Sequence, residues 1–262
     1  MTIAPPAGRA GGPLVSVLLS SRNGARFLSE ALDSLARQTW PHLEIIAVDD
    51  GSTDTTGDLL AAFAARHRAT RVLRTSGLGL AGALALAARE ARGEYLARHD
   101  DDDRSRPERL ERQVRFLESH RRIVALGTEA IRLDEAGHEH GRYGVPMDAR
   151  AIRRVARQDP PFVHGSVMMR RSAYEAAGGY RAAFRSSEDL DLWLRMDPVS
   201  LANLGEPLYA WRRHAGSETT RRRPAMLDFA AIARAFAAER RATGRDSYPL
   251  LERAGGRAPR AA

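Results

Sequence analysis

The chain is 262 residues long, with 43% hydrophobic and 28% charged residues, a composition that suits a soluble α/β domain with an extension and excludes wholesale disorder. It has no cysteine, so disulfides, thiolate metal sites and a cysteine nucleophile are excluded. All 41 basic residues are arginine, which excludes a Schiff-base lysine and a Walker-type phosphate loop, and the net charge of +8 leaves nucleic acid, an anionic membrane surface, a phosphorylated substrate or a merely solvated arginine surface as its meaning.

Residues 1–12, rich in Pro, Gly and Ala, lack the layout of a secretory signal and read as a flexible leader. Leu14–Leu19 reads as a buried strand, closed by the polar loop Ser20–Gly24. Phe27, Leu28, Ala31, Leu32 and Leu35 recur at helical spacing, and Trp40-Pro41 stops that helix. Leu43–Val48 is a second strand, a helix around Leu59, Leu60 and Phe63 follows, Arg71–Leu73 is a third strand, Leu80–Arg92 a third helix and Glu94–Ala97 a fourth strand. This alternation predicts a parallel sheet with helices on both faces, so the polar clusters at 20–24, 49–54 and 99–103 share the carboxyl edge where such sheets bind ligands.

The second half is less regular. A helix starts near Pro107 with Leu110, Val114 and Leu117 on one face; Ile123–Leu126 and Ile131–Leu133 read as two strands. Val163–Met169 is an apolar stretch, Asp189–Met196 a short helix, Leu208–Arg212 a late strand and Ala225–Arg240 a terminal amphipathic helix, with a mobile tail from Arg253. The division expected is one domain in two halves, 13–105 and 106–220, followed by 221–262 as helix and tail.

Several constellations carry chemistry. Asp100-Asp101-Asp102-Asp103 follows a buried strand; in extended backbone Asp100 and Asp102 point the same way, as a pair suited to magnesium or manganese, while an acidic cap on the following helix is the competing reading. Asp49–Asp54 offers a carboxylate for a base or ribose, or a helix cap. Gly77-Leu78-Gly79-Leu80-Ala81-Gly82 matches the dinucleotide fingerprint, but after a third strand rather than a first, so an NAD-dependent oxidoreductase is a rival reading. In Glu188–Arg195, helical spacing sets Asp189 beside Trp193 and Asp191 beside Arg195; an acid with an aromatic is the layout of a base that works on sugars, or else an ion pair and a core Trp. His42, His67, His120, His138 and His140 read as surface residues, whereas His164 adjoins an apolar stretch and His214, with Arg212 and Arg213, faces a diphosphate or a metal, or forms a plain surface cluster.

Three segments together resemble the family 2 glycosyltransferases: Val15–Asp54, Gly93–Gln113 with its Asp-x-Asp and Pro-Glu-Arg-Leu, and His164–Arg195 with Glu-Asp. The match spans about residues 14–217. The resemblance implies a Rossmann-like mixed sheet of the GT-A type and an inverting transfer from a nucleotide-diphosphate sugar, a UDP-sugar first, to a hydroxyl of a glycan or lipid-linked acceptor. It implies Asp189 as base with Glu188 beside it, and Ser20, Arg22, Asn23, Asp50, Asp100, Trp193 and Arg195 around donor and sugar. Mn2+ or Mg2+ would sit on Asp102 and Asp100, with His214 as a third candidate. Asp101 between the two acids, and Ala85 where relatives carry Asn, depart from the family pattern. No nucleic-acid partner is expected, since aromatics are only 6%. A cytoplasmic protein is expected, touching the inner face of the membrane peripherally through its positive charge. A non-catalytic sugar- or nucleic-acid-binding relative is the remaining alternative.

Overall fold

The computed structural model describes residues 12–217 and 223–256. The leader, apart from Gly12, and tail positions 257–262 lie outside the described residues.

The first hundred residues build β1 (Val15–Ser21), α1 (Ala25–Ala36), β2 (Leu43–Asp49), α2 (Thr56–Arg66), β3 (Thr70–Arg74), α3 (Leu80–Glu90) and β4 (Tyr95–Asp100). β3, β2, β1 and β4 lie side by side, all parallel. β1 is buried at every residue, as a strand covered on both faces must be. Its side chains alternate between two cores. Leu18 packs with Ile46, Leu84 and Leu96 under α3, while Val15, Val17 and Leu19 pack with Leu28, Leu32, Phe63 and Val114 on the other face.

The second half adds β5 (Arg104–Ser105), α4 (Arg109–Ser119), β6 (Ala125–Leu133), β7 (Glu139–Tyr143), α5 (Ala149–Val155), a 3₁₀ turn His164–Ser166, β8 (Met168–Arg170), α6 (Arg171–Ala176), α7 (Glu188–Trp193), β9 (Leu201–Arg212), α8 (Arg223–Thr243) and α9 (Tyr248–Arg253). The sheet becomes mixed here, in the order β3-β2-β1-β4-β8-β6-β9-β5, with β7 on β6. The pair of strands expected at 123–126 and 131–133 is one strand. Gly127 admits Phe162 and Asn203, and pairing with β9 continues past it through an irregularity at 128–130. β9 is longer than expected at its start for the same reason: residues 201–204 find a parallel partner in β6, which no local pattern announces. The tail does not begin at Arg253, because Gly256 N–H caps α9 on Leu251 and Arg185 donates to Gly255 O.

No helix among the described residues is long and apolar enough to cross a membrane.

Candidate active site

The carboxyl ends of β1, β2 and β4 meet at one edge, and their loops are cross-tied. Asp50 N–H donates to Ser21 O at 2.9 Å, Asn23 Oδ1 accepts from Thr53 N–H at 2.8 Å, and Ser21 Oγ donates to Asp101. Asn23 adopts a left-handed φ of 54° to make this join. Asn23 is therefore a tie between two loops. Ser20, at the end of β1, lies in register with Asp100, and exposed Arg22 lays its guanidinium along Gly77.

The four consecutive aspartates have four different environments. Asp100 accepts from Arg98 Nη2, Asp101 from Ser21, and Asp102 Oδ2 lies 2.9 Å from His214 Nε2. Asp103 is buried and accepts from Arg212 N–H at 2.7 Å, which fastens the acidic loop to β9. Burial and crowding push three of these carboxyls up, Asp101 and Asp102 both to about 7 and Asp103 well above its ordinary range. Such a cluster stores repulsion that a cation relieves.

Among the described residues no trio of His, Asp and Glu forms a ready-made metal cage. Magnesium and manganese need less, one or two carboxylates with water and phosphate completing the shell. Asp102 and its neighbour His214 fit that demand, with one qualification of chemistry. Gly216 N–H donates to His214 Nδ1 at 3.1 Å, so Nε2 carries the ring proton and donates to Asp102. His214 ligates through Nε2 only after that proton moves to Nδ1 and Gly216 turns away. Asp102 is the group that fits directly.

Arg212 does not face a diphosphate. It is fully buried, stacked on Phe27, with Nε donating to Asp102 O and Nη2 paired with Glu30 at 2.7 Å. Arg213 is exposed.

Glu188 and Asp189 open α7, across a buried partner. Arg98, 1% exposed, bonds Asp100 and carries Glu188 in its field; burial alone would discharge it, but Asp100, Tyr180, Tyr209 and Glu188 together raise its pKa. Asp189 in turn is pushed up to about 6 by burial, eased by the Leu190 N–H it accepts and raised again by Asp100. Glu188 is pushed to about 8 by burial and then by Asp189. Asp100 and the 188–189 pair therefore lie within one electrostatic field, with Arg98 common to both. Burial raises both carboxyls, Glu188 further than Asp189, so Asp189 is the more readily ionised of the two. His164 sits beside Glu188 at 3.7 Å and meets Tyr180 OH at 2.7 Å; burial and the Arg98 charge keep it neutral.

Two residues expected at the sugar are elsewhere. Trp193 is 1% exposed and wedged edge-on against Phe162 at 5.1 Å, so it is a core residue without a free face for a sugar. Arg195 pairs with Asp191 at 2.9 Å and donates to Gly179 O and Ala177 O, which ties α7 to the loop after α6. The ion pair expected from the spacing is there, but it serves packing.

Asp50 also has a different task from a base contact. Its buried carboxylate accepts from Thr75 Oγ1, from Leu78 N–H at 2.6 Å and from Gly79 N–H at 2.8 Å. Those are the amides a dinucleotide fingerprint would offer to a pyrophosphate, and a carboxylate already holds them. The glycines at 77 and 79 are required by φ of 104° and 77° in that loop.

Arg98, Arg109 and Tyr209 escaped the sequence reading. Arg109 is fully buried and donates to Gly165 O at 2.6 Å and Arg98 O at 3.0 Å; Tyr209 OH accepts from Asp100 N–H at 3.1 Å. The available signal was Arg98 itself, a charge directly after the apolar run Tyr95–Ala97 and still within β4.

The family model "Glycosyl transferase family 2" matches residues 16–178, more than half of the chain. EpsE of Bacillus subtilis (strain 168), a protein named as a glycosyltransferase, is 38% identical over 77% of this chain and 73% of its own length. The "Amylovoran biosynthesis glycosyltransferase AmsE" of Erwinia amylovora is 34% identical over 80% and 79%. Among solved structures, S. aureus TarS 1-349 in complex with UDP-GlcNAc superposes with a TM-score of 0.67 at 19% identity, over 79% of this chain and 61% of TarS 1-349. Mannosyltransferase PcManGT from Pyrobaculum calidifontis, in complex with GDP-Man and Mn2+, gives 0.63 at 20% over 93% and 69%. This chain spans about three-fifths of that TarS structure, and both structural likenesses establish the GT-A architecture. With that architecture, the clustered acids and the family match taken together, the chain belongs to glycosyl transferase family 2.

Proposed function

We propose that this glycosyltransferase moves a sugar from a nucleotide-diphosphate donor, a UDP-sugar first among them, to an acceptor hydroxyl with inversion at the anomeric carbon. The observation that carries the reading is Arg98, buried with Asp100 bound to it on one side and Glu188 in its field on the other. The donors bound by TarS and PcManGT, UDP-GlcNAc and GDP-Man, support a nucleotide sugar, and the Mn2+ in PcManGT supports a divalent ion.

Asp189, ionised at neutral pH, takes the proton of the attacking hydroxyl. Glu188, protonated and beside it, donates a hydrogen bond without adding repulsion. Arg98 holds the Asp100 carboxylate still, Ser20 and Arg22 line the nucleotide side, and Asp101, bound to Ser21, closes the loop under it. A divalent cation on Asp102, with His214 and Asp100 beside it, would offset the charge that develops on the departing diphosphate. One-step attack from the Asp189 side inverts the anomeric carbon. The acceptor is a glycan or a lipid-linked saccharide; one carried by lipid is reached from the membrane surface, aided by the net charge of +8.

The test is a panel of nucleotide sugars with Mn2+ or Mg2+, read as released nucleotide, with Asp102→Ala and chelator as controls. One donor is expected to turn over and to stop in chelator. Full activity in chelator refutes the metal role, and turnover of none refutes the donor class.

A further inference from the structure

The strands β6 and β9 present two faces with different fates. Ile131, Leu133 and Ala210 form a small buried cluster on one, where Arg212 also lies buried against Phe27. On the other face, side chains two residues apart share a side, which aligns Tyr209, Trp211 and Arg213 along β9. Arg132 stands opposite Trp211, and Ala130 opposite both Tyr209 and Tyr143. Tyr209 OH, at the inner end of this row, touches Asp100. The row therefore leaves the reaction centre and runs outward, Trp211 following Tyr209 by about 7 Å.

Trp211 and Tyr143 meet edge to face at 5.7 Å with the Arg132 guanidinium 5.2 Å over the Tyr143 ring, and Tyr143 is 38% exposed. Arginines around the same hairpin are neutralised: Arg26 by Glu135, Arg104 by Glu30, Arg106 by Glu139 and Arg142 by Glu129. Among the described residues, exposed Arg132 and Arg213 have no carboxylate partner.

We propose that Trp211, Tyr143, Arg132 and Arg213 form an outer acceptor subsite for a saccharide ring that bears a negative charge. The aromatic pair supplies an apolar platform for the C–H face of a pyranose, and the two guanidinium groups supply forked donors for its carboxylate or phosphate. The proposal rests on the glycosyltransferase reading in that the occupant is the acceptor, bound one or more sugars behind the attacking hydroxyl.

The experiment is calorimetry and saturation-transfer NMR on the full chain with hexagalacturonate, pentamannose 6-phosphate and neutral cellohexaose, with UDP and Mn2+ titrated in parallel. An acidic saccharide is expected to bind more tightly than cellohexaose, its carboxylate or phosphate arm identifying the charged group. Trp211→Ala should weaken it at least tenfold, and Arg132→Gln with Arg213→Gln should remove the preference for acid. Circular dichroism confirms that the variants fold; should Trp211→Ala unfold, Tyr143→Ala takes its place. Binding of no saccharide, equal binding of cellohexaose, or undiminished binding by a folded Trp211→Ala overturns the proposal. Saccharide binding without UDP binding leaves the subsite standing and removes UDP as the donor nucleotide; the reverse removes the subsite alone.

Discussion

Replacing Asp189 by Asn keeps the shape of the side chain and removes its basicity. A positioned general base is worth about 10²–10⁴ in rate, so turnover should fall by that factor, about 3–5 kcal/mol of barrier. The pH profile carries the sharper test. Burial and the Asp100 charge hold Asp189 at about 6, and the working form is the ionised one, so activity is lost as pH falls through that value. At pH 5 only about a tenth of Asp189 is ionised and kcat/KM should stand about tenfold below its pH 7 plateau. An ordinary aspartate would show a drop of that size only near pH 3. Glu188, at about 8, is already protonated over this range, and Glu188→Gln copies that neutral form. The variant should therefore retain the limb near 6. The measurement is nucleotide release from the accepted donor between pH 3 and 8, beside nucleotide binding by calorimetry. A limb near 4, a limb that survives in Asp189→Asn, or full loss in Glu188→Gln with Asp189→Asn still active would refute the assignment.

Asp50→Asn cannot accept from Thr75, Leu78 and Gly79 together, and a loss of about 1–3 kcal/mol is expected in urea melts, with faster amide exchange at 77–79; unchanged exchange would show that the loop does not depend on it. In Gly165→Ala the new methyl falls on Tyr209 Oη and lies 2.5 Å from Asp100 Oδ2, so turnover should drop at least tenfold with about 1–3 kcal/mol of stability; wild-type kinetics would mean the cleft yields freely. Trp193→Ala should cost about 3–5 kcal/mol through the cavity it leaves, read by thermal and urea unfolding, while a raised acceptor KM at full stability would restore it to the sugar site. His214→Ala should weaken Mn2+ binding less than Asp102→Ala does, measured by calorimetry; the opposite order would show that the ring, and not the carboxylate, anchors the ion.

How the chain is read locally explains which parts of the site were legible. The acids at 100–103 and 188–189 stand out because charge clustered after apolar runs is rare and visible residue by residue. That they are close enough to act on one charge is not visible residue by residue: Arg98, bonded to Asp100 and in the field of Glu188, is what links them. Trp193 and Arg195 show the opposite case. Helical spacing names which residues share a face, but not whether that face meets solvent or the core, and both turned inward. Asp50 and the 77–79 loop are 27 residues apart at their nearest, so no local pattern could show that one carboxylate occupies those amides.

Periodicity and turn residues, which are local physics, were enough for the parallel half of the sheet, the carboxyl edge and the list of acids. The merged β6, the early start of β9, the tautomer of His214 and the outward row from Tyr209 to Arg213 depend on partners 60 or more residues away or on one backbone N–H, as His214 does on Gly216. Burial and pairing are properties of the assembled neighbourhood, and the free energy that selects them appears only when distant segments meet.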